Sequence, residues 1–328
     1  MARKYDVLGI GNAIVDVLTN VDDGFLENEN LQKGSMQLVS ESEAAALYDK
    51  LGQCIECSGG SAGNTIAGLA SMGAQTSYIG KVRDDQLGDV FRHDISALGA
   101  NFATDKATSG PATAHCLVLV TPDAERTMCT YLGACVNLTV DDIDEEAVRA
   151  ADVSYLEGYL WDPEPAKEAF RKAIKIAHDA GNKVSLSLSD PFCVDRHRDE
   201  FLKLVKDGVD ILFANEDEIK MLYGTDDVNE AARRVQQDCD IAAITCGARG
   251  CIVTDKNEIG HVQGRSINKL MDTTGAGDLF AAGFLFGLTK GKSIGECGAI
   301  GNLVASEVIT HMGARPDIDL KKFVSENS

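Results

Sequence analysis

The run Asp272-Thr273-Thr274-Gly275-Ala276-Gly277-Asp278 sets three small residues directly before a carboxylate, and the apolar stretch Leu279 to Leu288 follows at once. Gly275, Ala276 and Gly277 carry so little side chain that their N–H groups can converge on an anion, and the positive end of a helix dipole would reinforce the pull. Asp278, one step inside that helix, is placed to take a proton from an attacking hydroxyl. An anion cradle beside a base is what phosphoryl transfer requires, because that chemistry rests on positioning and charge stabilisation. The plainer alternative is a threonine-capped helix start with an acidic first turn.

Four other places carry compatible chemistry. Ser58-Gly59-Gly60-Ser61-Ala62-Gly63-Asn64 is a small-residue loop leading into a helix, where ligand groups can approach the backbone closely. Its Asn64 offers donor and acceptor together, which suits a sugar hydroxyl; the alternative is an ordinary helix N-terminal turn. Asp16, just after the first strand, can accept two hydroxyl protons from a vicinal diol, or is simply a solvated carboxylate. Thr245-Cys246-Gly247-Ala248-Arg249-Gly250 leaves room for a nucleotide beside Thr245, Gly247 and Gly250. Asn215 and Glu218 stand about one turn apart at a strand-to-helix junction, able to hold a hydrated Mg²⁺.

The elements that must position these residues alternate. Strand patterns fall at Asp6 to Gly11, Thr76 to Val82, Val153 to Leu156, Lys183 to Leu188, Ile211 to Ala214 and Ile241 to Cys246. Helical patterns fall at Ser61 to Met72, Leu87 to Leu98, Glu164 to Ala180, Asp199 to Val205, Glu216 to Leu222, Asn229 to Cys239, Gly277 to Leu288 and Ile294 to Thr310. Such alternation predicts an α/β fold, a mostly parallel sheet covered on both faces, with ligands beyond the carboxyl ends of its strands. Two segments break the rhythm. Residues 14–39 alternate apolar and polar positions, and 113–131 reads as a hairpin, His115 to Thr121 and Thr127 to Tyr131, turning at Pro122-Asp123-Ala124-Glu125. Both are expected to be antiparallel strands of a small sheet laid over the main one as a lid, within one domain spanning 1–328.

Composition excludes several classes. Hydrophobic residues at 44% and charged residues at 25% describe a globular chain, and the formal net charge of −20 argues against nucleic acid as a partner. An anionic substrate must therefore be caught by a local site. No apolar run approaches a membrane span, and Met1-Ala2-Arg3-Lys4-Tyr5-Asp6 lacks the apolar core of a signal peptide, so a cytoplasmic protein is expected, with no membrane partner. The ten cysteines are scattered, and Cys54-Ile55-Glu56-Cys57 has no second pair or nearby histidine to complete a zinc site, which favours reduced thiols. Gly9-Ile10-Gly11-Asn12-Ala13-Ile14 lacks the third glycine of a dinucleotide fingerprint. Gly287-Leu288-Thr289-Lys290-Gly291-Lys292-Ser293 has three residues between its glycines where a P-loop has four, and it follows a helix.

Taken in order, Gly-Gly-x-x-x-Asn near 60, Asn-x-x-Glu near 215, Thr-x-Gly-x-x-Gly near 245 and Asp-Thr-x-Gly-Ala-Gly-Asp near 272 resemble the ribokinase (pfkB-type) family of carbohydrate and nucleoside kinases, from about Tyr5 to Pro316. The resemblance implies a three-layer ribokinase-like fold with a β-sheet lid, and ATP-dependent phosphorylation of a hydroxymethyl group. By position it implies Asp278 as base, Gly275 to Gly277 as anion hole, and Gly59, Gly60, Asn64 and Asp16 on substrate hydroxyls. Asn215 and Glu218 would organise Mg²⁺ (Glu218 through water) and phosphates, while Thr245, Gly247 and Gly250 line the ATP site and Asn302 lies near the adenine. Arg126, on the lid hairpin, matches an arginine that reaches the phosphates in nucleoside-type members. A monovalent cation such as K⁺ near the anion hole is also implied. The Asn64-x-Ile66 arrangement, the Arg126 hairpin and the acidic lid start around Asp16 are most similar to adenosine kinases, which implies adenosine as substrate; a fructokinase- or ribokinase-like sugar kinase is the alternative. Met36, Leu38, Tyr159 or Trp161 would pack on a purine ring, or else serve to pack the lid on the body. Lid edges decide between monomer and homodimer.

Overall fold

The computed structural model describes residues 3–123 and 125–327; Met1, Ala2, Ala124 in the expected hairpin turn, and Ser328 lie outside the described residues. In chain order the strands are β1 (Tyr5–Ile10), β2 (Ile14–Asn20), β3 (Met36–Leu38), β4 (Ile55–Ser58), β5 (Thr76–Ile79), β6 (Asn101–Phe102), β7 (Ala114–Val120), β8 (Arg126–Tyr131), β9 (Ala151–Glu157), β10 (Lys183–Ser187), β11 (Ile211–Asn215), β12 (Ile241–Thr245), β13 (Cys251–Asp255) and β14 (Ile259–Val262).

Nine of them form the large sheet, in the order β14-β13-β12-β11-β10-β9-β1-β5-β6. It is parallel from β12 to β6, while β13 and β14 add an antiparallel edge. Strands such as Tyr5–Ile10 and Thr76–Ile79 are buried almost throughout, because both faces are covered by helices. On one face pack Ser61–Ser71, Ala276–Thr289 and Ile294–Val308, around Ile66, Leu69, Phe284 and Val304. On the other pack Glu164–Asp179, Pro191–Gly208, Glu216–Tyr223 and Val228–Asp238, around Phe170, Phe201 and Ile219. The result is a three-layer ribokinase-like α/β fold.

The small sheet has the order β3-β8-β7-β2-β4. Here the expectation of antiparallel pairing needs correction. β7 and β8 form the antiparallel hairpin, but β2 lies parallel to β7, and β3 parallel to β8. Residues 14–39 also hold a helix of their own, Asp23–Asn28, which intervenes between β2 and β3. β4 pairs antiparallel with β2 at the far edge, so Cys57 lies in a strand and Cys54 just before it, and all ten cysteines are free thiols.

Two further boundaries move. The helix expected at Asp199 to Val205 begins at Pro191, capped by the Asp190 carboxylate accepting the Cys193 N–H, and kinks at His197. Gly287 lies inside its helix against Cys297, and the turn is made at Gly291, so the P-loop-like string is a helix stop.

Candidate active site

The helix Ala276–Thr289 starts from Gly275, whose φ of +75° is the left-handed conformation that glycine adopts without strain. A Cβ there would lie 2.6 Å from that of Ala314, so the loop after Thr310 also demands a hydrogen at this position. No side chain caps this N-terminus, so the threonine-cap alternative does not describe it. The Ala276 N–H donates to the Thr273 carbonyl at 3.1 Å and is thus engaged, unlike its expected role in the anion hole, while the next amides, of Gly277 and Asp278, stay available to a ligand. A Cβ on Gly277 would meet nothing within 4 Å, so that side of the turn opens on the cleft.

Asp278 sits in this first turn with its carboxylate held from the facing helix. Ser61 Oγ donates to Oδ1 at 2.6 Å and Asn64 Nδ2 donates to Oδ2 at 2.9 Å. Burial pushes its pKa up to about 6, opposed by those two donors and by the charge of Arg315. Asn64 is therefore engaged differently from the expected role on a substrate hydroxyl. Its NH₂ is turned to Asp278, while its buried Oδ1 lacks a hydrogen-bond partner among the described residues.

At the other end of the same loop, Asp272 accepts the Thr274 N–H at 3.0 Å and the Gly313 N–H at 2.9 Å. Its Oδ2 also lies 2.6 Å from Nη2 of Arg126, an ion pair without the alignment of a hydrogen bond. Arg126 thus reaches from the small sheet to the start of the 272–278 loop, where an anion is expected to bind.

Asp16 stands on β2 between two thiols, opposite Cys57 on β4 and Cys116 on β7. Its carboxylate fills the space where a Cβ on Gly59 would be, which is why that position carries no side chain. Gly60, at φ +80°, presses against the Asn12 carbonyl. Burial raises the Asp16 pKa to about 6, against the pull of Arg315 and Arg126, and Asp278 adds to the rise. Two members of this end had no local signal in the sequence. Glu157, at the end of β9, accepts Asn12 Nδ2 and the Ala62 N–H, both at 2.8 Å, and burial lifts it to about 7. Arg315 donates to the Ser58 and Gly63 carbonyls.

The residues expected on the nucleotide side divide. Asn215 and Glu218 form a reciprocal capping box: Asn215 Oδ1 accepts the Asp217 and Glu218 N–H groups, and Glu218 accepts the Asn215 N–H and Nδ2–H. Both still line the cleft, as does Thr245 at the end of β12. Burial pushes Glu218 up to about 7. Gly247, Gly250 and Asn302 fall outside the cleft lining. Gly250 is a turn glycine pressed on Val262 and Gly264, and Asn302 donates to the Val262 and Gln263 carbonyls, pinning the end of β14.

One cleft of about 950 Å³ runs from Asp16 past Asp278 to Asn215 and Thr245, roofed by the small sheet. It has room for an alcohol and a nucleotide together. The family model for the pfkB family of carbohydrate kinases matches residues 36–321. The chain belongs to that family. It is accordingly a phosphotransferase with an alcohol as acceptor. Its fold is similar to that of an adenosine kinase from Sinorhizobium meliloti, at 48% identity over 99% of this chain and 100% of that one, with a TM-score of 0.92. It is equally similar to a probable sugar kinase from Rhizobium etli CFN 42, at 47% identity over 99% of both chains and a TM-score of 0.92. In sequence it is 27% identical to adenosine kinase 2 of Arabidopsis thaliana, over 97% of this chain and 99% of that protein.

Proposed function

We propose that this pfkB kinase transfers the γ-phosphoryl group of ATP to the 5′-hydroxyl of adenosine, giving AMP and ADP. The observation that carries the choice of acceptor is the roof of the cleft. Met36, Leu38 and Ile55 on the small sheet are 49%, 63% and 69% exposed although large and apolar, and all three line the cleft. A free sugar would leave that surface wet. A purine ring would cover it, at about 25 cal/mol for each Å² removed from water. The similarity to two named adenosine kinases supports the same reading.

In this account Asp16 accepts the ribose hydroxyls, with Gly59 and Gly60 giving the sugar close access to the backbone. Asp278, ionised above about pH 6, takes the 5′-hydroxyl proton as the oxygen attacks. Charge building on the transferred group meets the uncapped N-terminus of the Ala276–Thr289 helix, and Arg126 adds a guanidinium from the roof. The donor set also suits Mg²⁺: among the described residues no cluster of three carboxylate, imidazole or thiol groups would cage a metal, and Mg²⁺ characteristically keeps its waters and takes one or two carboxylates plus phosphates. Glu218 and Asn215 would hold such a hydrated ion, which supplies Lewis-acid neutralisation of the phosphates when bound. Single-domain organisation, a lid action of the small sheet and a cytoplasmic setting for the ten free thiols belong to the same proposal.

The similarity to a probable sugar kinase favours a second reading, a sugar acceptor in the same site. Comparing kcat/KM for adenosine, inosine, ribose and fructose with MgATP separates the two. Adenosine ahead of fructose and ribose by more than about tenfold is expected, since the missing ring contacts cost at least about 1.4 kcal/mol; a sugar preferred over adenosine selects the second reading.

A further inference from the structure

Arg315 is the most heavily engaged cation of the cleft. Nε donates to Ser58 O at 3.0 Å, Nη1 to Gly63 O at 3.1 Å, and Nη2 to Ser58 O at 2.5 Å and Ser58 Oγ at 2.7 Å. With four hydrogen bonds made to protein groups, the guanidinium has little left to offer a phosphate. Ser58 itself is fully buried, and its N–H and Oγ donate in turn to Asp94 Oδ2 at 2.8 and 2.5 Å. Arg315, Ser58 and Asp94 thus form one chain of contacts.

That chain joins the two loops that define the site. On one side, Ala314 packs on Gly275, and the Gly313 N–H is bonded to Asp272, so the segment carrying Arg315 is locked to the anion loop. On the other, Ser58 precedes Gly59 and Gly60, and Gly63 lies in the helix turn whose Ser61 and Asn64 hold the Asp278 carboxylate. We propose that Arg315 is a positioning residue for phosphoryl transfer, a strut that fixes the Ser58–Asn64 turn against the anion loop and places a permanent positive charge beside Asp278.

The charged and titratable groups facing Asp278 come from several elements: Asp16 on β2, Tyr155 and Glu157 on β9, Tyr159 after it, and Arg315. Arg315 is the cation among them, and it draws both Asp16 and Asp278 down against their burial. Removing its charge therefore raises the pKa of the base, and activity is lost at a higher pH on the acid side.

The inference rests on Asp278 acting as the base, and the test keeps the two apart. Full-length Arg315→Met, Arg315→Lys and Asp278→Asn are assayed with adenosine and MgATP from pH 5 to 9, with folding checked by circular dichroism. In Arg315→Met the acid limb of the kcat profile is expected to move up by about one pH unit, the lower end of what a neighbouring opposite charge supplies. A folded Arg315→Met with an unmoved acid limb overturns the proposal, whatever its kcat. Arg315→Lys keeps the charge and loses the forked grip on Ser58, so its acid limb stays while KM for adenosine rises about tenfold or more. An unchanged KM in that variant overturns the proposal even if Arg315→Met fails to fold. Full turnover by Asp278→Asn would instead show that the base itself was misassigned.

Discussion

Arg126 on the small sheet and Asp272 at the head of the anion loop form an ion pair at 2.6 Å, with side chains only 8% and 6% exposed. The pair ties the roof of the cleft to the loop that leads into the Asp278 helix. Asp272 has two backbone donors besides, whereas Arg126 has a buried Nε without an acceptor among the described residues, a hydrogen-bond donor still to be matched.

Arg126→Ala leaves the Asp272 carboxylate buried without its countercharge. A stability loss of about 3 kcal/mol is expected, because removing one partner of a buried pair strands the other. Urea denaturation measures it, and KM for ATP should rise in the same variant.

The pH profile follows from the three burial-raised carboxyls at the Asp278 end of the cleft, Asp16 and Asp278 to about 6 and Glu157 to about 7, with Glu218 at the other end raised to about 7 as well. A base must be deprotonated to act, so kcat should climb with pH and level off above an acid limb between about 6 and 7, an apparent value belonging to the coupled cluster. Stability runs the other way. Folded pKa values above the unfolded ones mean that the native state holds more protons between about pH 4 and 7, so these groups lose their stabilising contribution as pH rises through that window. Asp278→Asn should therefore melt above the wild type at pH 8, with the gap closing toward pH 4.

Ser61→Ala removes the 2.6 Å donor to Asp278 and leaves the backbone undisturbed. Loss of a hydrogen bond to the charged form raises the pKa, so the acid limb should shift upward by about half a unit to one unit. A profile superimposable on the wild type would show that the hydroxyl does not bear on the base.

Gly59→Ala drives a methyl into the Asp16 carboxylate. Displacing a group that orients the acceptor should raise KM for adenosine by about a hundredfold, with KM for ATP little changed. Steady-state kinetics with each substrate varied in turn distinguishes this from a general folding defect.

Much of this arrangement was legible in the chain because the signals were local. The parallel strands and their helices announce themselves by burial period, and the 272–278 string contains its own glycines and carboxylate. What could not be read depends on distant approach. β4 is four residues long, with Ile55 on the cleft side, and only its pairing with β2 makes it a strand. The helix at Pro191 begins before the apolar spacing is established, through the Asp190 cap. Glu157 closes an apolar strand and Arg315 lies in a loop, so neither gains meaning until Ala62 and Ser58 are brought against it. Asn302 and Gly250 carried motif weight, but the fold uses them to hold β14.

The decisive measurement is turnover by Asp278→Asn with adenosine and MgATP, together with calorimetric binding of adenosine to the same variant. If Asp278 is the proton acceptor, kcat falls by about a thousandfold, within the range contributed by a positioned base, while adenosine still binds within about tenfold of the wild-type Kd. A kcat within tenfold of the wild type would contradict the assignment of Asp278 as the base.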